Sequence, residues 1–357
     1  MHKEHRAVVW GAGGFAGGEL LRLLAYHPHF ELQGAISNTN AQKKIGEVYP
    51  GLAPFTELSF QTEEEYSWDV LETGNWTVFS AGAHVQTMKR LPPLLERIAQ
   101  SKNRENIKIV DLSGDFRLKD AAEYKKYYKH EHVAQNLLDS FTYGLPELNR
   151  DEICAARLIA NPGCFATCAQ LSILPMAAAP LKTMFAAIDA KTGSSGAGIK
   201  PLLTTHHPNR MNNYSAYKQI GHQHFPEVQG GWLAAGGSPE TKMSFVPQRA
   251  PIVRGIFVTA HFFLAQETSS EEVTGWYQSY YQSAPFVRIC SGSPTVQDIW
   301  GTNRCDISVS ASGKLVIICA AIDNLVKGAA GQAVQNANLM NGFKETAGLD
   351  IPVPMPI

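Results

Sequence analysis

The stretch AVVWGAGGFAGGEL, residues 7–20, decides the fold expected for the first part of this chain. Its first four residues form a short apolar strand, a glycine-rich turn follows, and the leucine-rich residues 20–24 continue as an amphipathic helix. A strand, a glycine-rich turn and a helix place a pyrophosphate on backbone N–H groups at the helix N-terminus. A second apolar strand at residues 30–36 completes a βαβ unit. We therefore predict a dinucleotide site formed by Gly11, Gly13, Gly14, Phe15 and Gly17.

The loop after the second strand indicates which dinucleotide binds. An NAD site usually has an acidic residue about 20 residues beyond the glycines, bonded to the ribose 2′-hydroxyl. Here the strand ends in Ser37 and Asn38, and Lys43 and Lys44 follow shortly after. Neutral donors and nearby cations suit a 2′-phosphate, which a carboxylate would repel. The sequence favours NADP(H) as cofactor, with Ser37 and Asn38 at the ribose.

The pattern of strands predicts two domains. Apolar strands at residues 76–80 and 107–112, with a helix at 88–100 between them, extend a doubly wound, mainly parallel sheet. Beyond residue 164 the β-rich segments 184–191, 241–266 and 305–321 indicate a mixed, mainly antiparallel sheet, and a closing helix at 326–340 is expected to return to the first domain. The predicted fold class is α/β: a Rossmann-type nucleotide domain, residues 1–160 plus 325–357, and an α+β catalytic domain, residues 161–324.

The composition excludes several classes of protein. The chain has 357 residues, enough for two cores, and a net charge of −1, which gives no basic surface for nucleic acid. No apolar stretch has membrane-spanning length, and because residues 1–6 lack the apolar run of a signal peptide we expect none. The six cysteines show no C-x-x-C pairs and no ligand spacing. We expect a cytoplasmic protein without a metal site, and no nucleic-acid or membrane partner.

The stretch NPGCFAT, residues 161–167, carries the chemistry. An apolar strand at 158–160 leads through a Pro-Gly turn into a helix predicted over 166–179, so Cys164 lies at or just before a helix N-terminus. Unpaired N–H groups and the helix dipole there favour the thiolate, the form that attacks a carbonyl carbon. A buried cysteine of the core is the alternative. A packing residue needs no Pro-Gly corner, so we predict a nucleophile.

The stretch GHQHFPE, residues 221–227, offers a partner for that cysteine. Histidine has a pKa near the working pH, as an acid–base group requires. On a strand or extended loop His222 and His224 point the same way, so either could face Cys164. Glu227 could fix the histidine tautomer as the third member of a nucleophile, base and orienting group. The alternative is a polar surface loop, and the cysteine motif favours the functional interpretation.

Taken together, these motifs resemble one family, N-acetyl-γ-glutamyl-phosphate reductase of arginine biosynthesis. The resemblance spans nearly the whole chain and rests on residues 11–20, 111–117, 143–149, 161–167, 222–227 and 323–340. The chain departs from the family pattern at Cys168 and Ser172 and in the segment 80–84. None of these departures removes a chemical group, so they bear on the exact substrate more than on the reaction class.

The resemblance implies reductive dephosphorylation of an acyl phosphate through a Cys164 thioester, with NADPH as hydride donor. His222 is then the acid–base group, with His224 as the alternative, and Asn324 lies near the nicotinamide amide. The guanidinium of Arg117 matches the geometry of the departing phosphate. The family also suggests a homodimer or homotetramer, with residues 161–324 as the oligomerisation domain. The residues expected to shape the substrate pocket are Glu147, Ser194, Gly196 and Tyr217, with Arg210 or Lys218 at the α-carboxylate.

Three alternatives stay open. A sister reductase would act on an aminoadipyl phosphate or an N-succinylated substrate, which differ by one methylene or by the acyl cap. Aspartate-semialdehyde dehydrogenase shares the architecture and the cysteine but lacks the 222–227 motif. A non-catalytic NADP-sensing regulator would have no reason to keep both Cys164 and His222.

Overall fold

The computed structural model describes residues 3–353. They divide into two compact units: residues 3–162 with 329–350, and residues 163–328 with 351–353. The sequence-based division has its breaks after residues 160 and 324, whereas the units change after residues 162 and 328. It also assigns the C-terminal residues to the first domain, but residues 351–353 group with the second unit, and residues 354–357 lie outside the described range.

The strands and α-helices alternate along the chain as far as the ninth strand, and after that strands follow one another at residues 242–264 and 287–322. The strands are β1 His5–Trp10, β2 Phe30–Ile36, β3 Asn75–Ser80, β4 Ile107–Asp111, β5 Thr142–Tyr143, β6 Leu158–Ala160, β7 Thr183–Thr192, β8 Ser215–Ala216, β9 Lys242–Arg249, β10 Ile256–Leu264, β11 Val287–Ile289, β12 Cys305–Ser312 and β13 Leu315–Ile322. The α-helices are α1 Phe15–Ala25, α2 Ile45–Val48, α3 Thr87–Gln100, α4 Ala121–Tyr128, α5 Pro146–Ala155, α6 Cys164–Ala177, α7 His207–Arg210, α8 Phe225–Ala234, α9 Ser270–Tyr280 and α10 Gly331–Met340.

The first unit is built on a six-stranded sheet of order β2-β1-β3-β4-β6-β5, in which every pair is parallel. The predicted doubly wound, parallel sheet is therefore confirmed. Strand β1 lies between β2 and β3, and its residues Ala7, Val8 and Val9 are fully buried. Because parallel strands end at one edge, the loops that follow them meet there, and such edges bind ligands in open α/β sheets. The residues at that edge include Gly11, Ser37, Ala81, Leu112 and Asn161.

Helix α10 belongs to the first unit and is buried along its whole length. Its buried side-chain amide nitrogens donate to neighbouring residues of the same unit. The amide nitrogen of Asn336 donates to the carbonyl oxygen of Gly144 at 2.8 Å and to Oδ1 of Asn161 at 3.0 Å. The predicted helix 326–340 begins as a π-helical turn, Val326–Ala330, before α10.

The second unit is built on a seven-stranded mixed sheet of order β11-β12-β13-β10-β7-β9-β8. Only β11–β12 and β7–β9 are parallel, so the predicted mixed, mainly antiparallel sheet is confirmed. Helix α6 packs against β7, β10 and β13, and every residue after Cys164 in it is buried. Among residues 3–353, none of the helices has the length and hydrophobicity that crossing a membrane requires.

Candidate active site

Cys164 is the first residue of α6, directly after the extended N-cap residue Gly163. The sequence predicts a helix from residue 166, and the helix begins two residues earlier, which puts the sulfur at the N-terminus as expected. Negative charge is stabilised at this end of a helix. The cysteine is half-buried, and a Cβ at Gly328 would lie 2.9 Å from the Cβ of Cys164. The missing side chain at position 328 therefore makes room for the cysteine.

Glu227 lies in the first turn of α8 and is buried. Its Oε2 accepts a hydrogen bond from the backbone N–H of Gly163 at 2.9 Å. The Nδ1 atom of His222 accepts the backbone N–H of His224 at 3.2 Å. The tautomer of His222 is thus set by the backbone N–H of His224, and Glu227 holds the turn before Cys164. That Glu227 fixes a histidine tautomer stays a prediction.

His222 is enclosed by aromatic rings and only 2% exposed. The ring centroids of Phe165, Phe245 and Tyr217 lie 5.6, 5.6 and 5.7 Å from its own. Burial, and secondarily the positive charge of Lys218, lowers the pKa of His222 to about 3. The imidazole is therefore neutral at pH 7, and because Nδ1 accepts a backbone N–H, we assign its proton to Nε2.

His224 is the N-cap residue of α8, so the two histidines lie in a turn and not on the extended segment that the sequence predicts. The ring centroids of His222 and His224 are 5.0 Å apart, and both residues line the same cleft. Phe165, the residue after the cysteine, contacts both rings. The expectation that either histidine could face the cysteine is therefore consistent with the placement of both.

A cleft of about 350 Å³ in the second unit joins these groups. Its lining, all within the described residues, contains three cationic side chains and no carboxylate. The predicted pocket residues Ser194, Gly196 and Tyr217 are among the residues that line the cleft. Sequence analysis missed Arg249, the last residue of a strand. The lining residues are Cys164, Phe165, Thr192, Gly193, Ser194, Gly196, Ala197, Leu202, Thr204, Thr205, Arg210, Tyr217, Lys218, His222, Gln223, His224 and Arg249.

The loop of small residues after β7 is a braced turn. The segment Ser194–Ala197 is a 3-10 helix, and the backbone N–H groups of Ser194 and Ser195 donate to the carbonyls of residues 252 and 253. Asn324 is buried beside it, where its Oδ1 accepts the N–H of Gly255 at 2.7 Å and its Nδ2 lies 3.0 Å from Oγ of Ser195. These bonds fix the wall of the cleft, and the contact of Asn324 with a nicotinamide amide stays a prediction.

Two predicted substrate residues, Arg117 and Glu147, lie in the first unit. The guanidinium of Arg117 is buried and donates from Nε to the carbonyl of Asn161 and from a terminal nitrogen to that of Leu112, both at 2.8 Å. Glu147 accepts the Gln335 amide at 3.4 Å. Arg117 thus braces the ends of β4 and β6. Two of its five N–H donors are thus used by the fold itself, and the contact with phosphate stays a prediction.

The glycine loop of the first unit fits a dinucleotide. Gly11 has a φ of +89°, and a Cβ there would lie 2.7 Å from the carbonyl oxygen of Ala81. A Cβ at Gly14 would meet nothing closer than 3.8 Å, so packing does not demand a glycine there. Gly14 is also the N-cap of α1, without a side-chain capping bond. The N-terminus of α1 is thus left open to an anion, as a bound pyrophosphate requires.

The end of β2 approaches that loop closely. A Cβ at Gly13 would lie 2.3 Å from Oγ of Ser37, so a larger residue there would displace the Ser37 side chain. Asn38 accepts the backbone N–H of Glu63 through Oδ1 at 3.0 Å. Lys44 pairs with Glu57 at 2.8 Å. Ser37 is therefore placed beside the glycine loop, whereas Asn38 and Lys44 have partners in neighbouring loops.

Comparison with known proteins gives the class first. The model for the semialdehyde dehydrogenase NAD binding domain matches residues 6–156, and the model for the semialdehyde dehydrogenase dimerisation domain matches residues 164–324. The chain is therefore an oxidoreductase of the semialdehyde dehydrogenase class that binds a nicotinamide nucleotide.

Curated relatives then give the family. The N-acetyl-gamma-glutamyl-phosphate reductase of Methanocaldococcus jannaschii is 43% identical over 349 residues, which are 96% of this chain and 96% of that protein. The protein of the same name from Desulforamulus reducens is 41% identical over 96% of this chain and 97% of its own length. This chain belongs to the N-acetyl-gamma-glutamyl-phosphate reductase family.

Solved structures agree on the fold. Aspartate semialdehyde dehydrogenase II of Vibrio cholerae, complexed with ASA, matches with a TM-score of 0.71 at 16% identity, covering 96% of this chain and 99% of that chain. Aspartate semialdehyde dehydrogenase of Candida albicans with NADP matches with a TM-score of 0.66 at 15% identity, covering 94% and 98%.

Proposed function

We propose that this protein catalyses the NADPH-dependent reductive dephosphorylation of N-acetyl-L-glutamyl 5-phosphate to N-acetyl-L-glutamate 5-semialdehyde, a step of arginine biosynthesis. The observation that carries the proposal is the cleft in which Cys164, at a helix N-terminus, is joined by His222 and three cationic side chains. Three curated relatives that are 41–43% identical to this chain are named N-acetyl-gamma-glutamyl-phosphate reductase, which supports the same substrate.

The first unit supplies the cofactor site in this proposal. Gly11, Gly13, Gly14, Phe15 and Gly17 hold the pyrophosphate with the N-terminus of α1. Ser37 and Asn38 face the ribose, and the absence of an acidic residue at positions 37–40 suits the 2′-phosphate of NADP. When bound, the reduced nicotinamide supplies a hydride to the acyl carbon.

Cys164 begins the reaction. Its thiolate attacks the acyl carbon, a C–S bond forms, and the bond from that carbon to the phosphate oxygen breaks, so that inorganic phosphate leaves and a thioester remains. The N-terminus of α6 stabilises the thiolate before attack. When the thioester has been reduced, the thiohemiacetal collapses from its oxyanion form: the C=O bond re-forms, the C–S bond breaks, the thiolate is restored and the semialdehyde leaves.

His222 acts on the oxygen of the reacting carbon. A neutral imidazole with its proton on Nε2 can donate to that oxygen while negative charge develops there, as neutral catalytic histidines polarise carbonyls. His222 is favoured over His224 for this role because its tautomer is fixed by the backbone and its ring is the more deeply buried of the two. Glu227 supports the reaction by holding the turn that carries Cys164.

The second unit also carries the proposed self-association into a homodimer or homotetramer. The matched family model is described as a dimerisation domain. Phe185 on β7 and Phe263 on β10 are 36% and 48% exposed, and their ring centroids are 6.2 Å apart on one face of the sheet. An exposed aromatic pair on adjacent strands suits a contact between copies. Light scattering at several concentrations tests the assembly, and a monomer throughout would contradict it.

We place the enzyme in the cytoplasm.

The reaction is tested in the oxidative direction, with N-acetylglutamate semialdehyde, inorganic phosphate and NADP⁺. We expect phosphate-dependent reduction of NADP⁺, weaker reduction of NAD⁺, and no activity in Cys164→Ser. Activity of Cys164→Ser equal to that of the wild type would rule out the thioester. The semialdehydes of N-succinylglutamate, aminoadipate and aspartate, assayed side by side, decide between this substrate and the sister reactions.

A further inference from the structure

The three cationic side chains of the cleft differ in their exposure and in their hydrogen-bond partners. Lys218 is exposed at the cleft and donates to Oε1 of Gln223 at 2.8 Å. Arg210 and Arg249 instead lie inside, one buried and one half-buried. The cleft lining contains no carboxylate to neutralise either arginine. A pair of inward arginines without an acidic neighbour in the lining indicates that an anion from outside completes the site.

Arg210 has an unmet donor. It ends the short helix α7, and one terminal nitrogen of its guanidinium donates to the carbonyl of Thr192 at 2.7 Å. Its Nε is buried and has no hydrogen-bond partner among the described residues, and Arg210 as a whole is only 8% exposed. A buried donor without a partner costs free energy, and more so in a charged group. A bound anion would supply the missing acceptor.

Arg249 converges on the same place from a different element. It is the last residue of β9, and the parallel register of β7 and β9 pairs it with Thr192, whose carbonyl binds Arg210. Its guanidinium carbon lies 4.1 Å from the ring centroid of Tyr217, a stacking distance that fixes the orientation of the guanidinium. Both arginines are therefore positioned at Thr192, the last residue of β7: Arg210 by a hydrogen bond and Arg249 by strand pairing. Burial, together with the charge of Arg249, lowers the pKa of Arg210.

Tyr217 relates this pair to the reacting groups. Its ring contacts His222 with a centroid distance of 5.7 Å and Arg249 at 4.1 Å. The tyrosine ring thus contacts both the acid–base histidine and the arginine, so the arginine pair lies close to the reacting groups.

We propose that Arg210 and Arg249 form the subsite that binds the α-carboxylate of the substrate and thereby select a free α-carboxylate as a required feature. This inference rests on the function proposed above. The substrate carries two anionic groups, but the phosphate departs during the reaction, whereas the α-carboxylate is shared by the acyl phosphate and the semialdehyde. Two fixed guanidinium groups suit the anion that stays, since they would hold phosphate back after cleavage.

The experiment measures three separate KM values in the oxidative direction: for N-acetylglutamate semialdehyde, for phosphate and for NADP⁺. The main variant is Arg249→Gln, because Arg249 is half-buried and its removal leaves the Thr192 bond in place. Arg210→Lys is the second variant, since it keeps the charge but not the forked geometry. Arg104→Gln is the control, because Arg104 is exposed and paired with Glu105 in the first unit.

We expect the KM for the semialdehyde to rise about 10- to 100-fold in Arg249→Gln, the range of a hydrogen bond to a charged group. Arg210→Lys should raise it less. The KM for phosphate and for NADP⁺ should stay within about threefold of the wild type, as should every value for the control. A rise in the KM for phosphate with an unchanged KM for the semialdehyde would assign the pair to phosphate and overturn the proposal.

A second substrate isolates the carboxylate. The aldehyde 4-acetamidobutanal has the same acylated amine and chain but no carboxylate. Its kcat/KM should be low in the wild type and unchanged by Arg249→Gln, because neither enzyme can form an arginine–carboxylate contact with this aldehyde. An equal loss for both aldehydes would contradict a carboxylate contact. Wild-type enzyme inactive on N-acetylglutamate semialdehyde would refute the proposed function itself, which is a different result from active wild type with insensitive variants.

Discussion

Oε2 of Glu227 accepts a hydrogen bond of 2.9 Å from the backbone N–H of Gly163, the residue immediately before Cys164. Both groups are buried, and the bond joins the first turn of α8 to the N-terminus of α6. A carboxylate at the start of one helix thus fixes the corner that presents the nucleophile at the start of another. This makes Glu227 a positioning residue that acts through the backbone of the cysteine turn.

Substitutions at Glu227 should separate geometry from charge. Glu227→Gln keeps an oxygen acceptor for the Gly163 N–H, whereas Glu227→Ala leaves that N–H unsatisfied at a cost of about 1–3 kcal/mol. We expect kcat to fall less than about tenfold in Glu227→Gln and about 100-fold or more in Glu227→Ala. Loss of the negative charge should also shift alkylation of Cys164 by iodoacetamide to lower pH in Glu227→Gln. Equal kcat in the two variants would contradict a role in positioning.

Gly328→Ala should disturb the nucleophile directly. The new Cβ would lie 2.9 Å from the Cβ and 3.3 Å from the Cα of Cys164, so one of the two segments must move. Small misplacements of reacting groups cost up to about 100-fold in rate, and we expect kcat to fall by at least tenfold. The control is Gly275→Ala on α9, where a Cβ meets nothing within 4 Å. That variant should keep full activity and gain about 0.5–1 kcal/mol of stability. Full activity in Gly328→Ala would show that the cysteine turn tolerates the shift.

The acid side of the pH–rate profile should report the burial of His222. Its pKa is lowered to about 3, first by burial and then by Lys218. The imidazole stays neutral as the pH falls through 6.5, so kcat should show no loss from its protonation between pH 7 and about 5. In Lys218→Met one of the lowering causes is gone, so the pKa should rise and the acid limb of kcat should move to higher pH. A wild-type acid limb near pH 6.5 that does not respond to Lys218→Met would contradict a neutral, buried His222.

The glycine loop, the cysteine turn and the histidine segment could all be predicted because each is a local signal. Strand β2 was predicted within its observed bounds, Phe30–Ile36, and β6 likewise, because short apolar runs bounded by turn residues are local as well. The start of α6 differed by two residues because a cysteine and a phenylalanine have no strong helix propensity, and the Pro-Gly turn, not propensity, begins this helix.

The partners of Arg117, Glu227 and Arg249 could not be predicted from the sequence. The chemistry of its guanidinium predicts a phosphate contact for Arg117, but it does not indicate the carbonyls that this side chain binds at the ends of two strands distant from each other in sequence. Arg249 was missed because its place in the cleft depends on the parallel pairing of β7 with β9, which brings it beside Thr192. Strand order and register are long-range properties, and one sequence does not contain them in a readable form.

Acid destabilisation should be traceable to a buried histidine of the first unit. His27 is fully buried: Nε2 lies 2.9 Å from Oδ1 of Asn338, and Nδ1 accepts the backbone N–H groups of residues 29 and 30. Burial is the main cause that lowers its pKa from 6.5 to about 4. A histidine with a lowered folded-state pKa contributes its full stability above pH 6.5, and this contribution is lost as the pH falls toward 4, because the unfolded chain binds the proton first. The free energy of unfolding should therefore fall by up to about 1.4 kcal/mol per pH unit in that window.

The substitution His27→Asn tests this assignment. The introduced amide oxygen can still accept the backbone N–H groups of residues 29 and 30, while the titrating ring is gone. We expect the variant to be less stable than the wild type at pH 7, since the bond to Asn338 is lost, but to lose less stability between pH 6.5 and 4. Urea unfolding followed at several pH values measures both slopes. His130→Asn is the control, because that side chain is exposed and its replacement should leave the slope unchanged. Parallel slopes for His27→Asn and the wild type would show that the acid sensitivity arises elsewhere, with His222 in the second unit as the next residue to test, since its pKa is also lowered by burial.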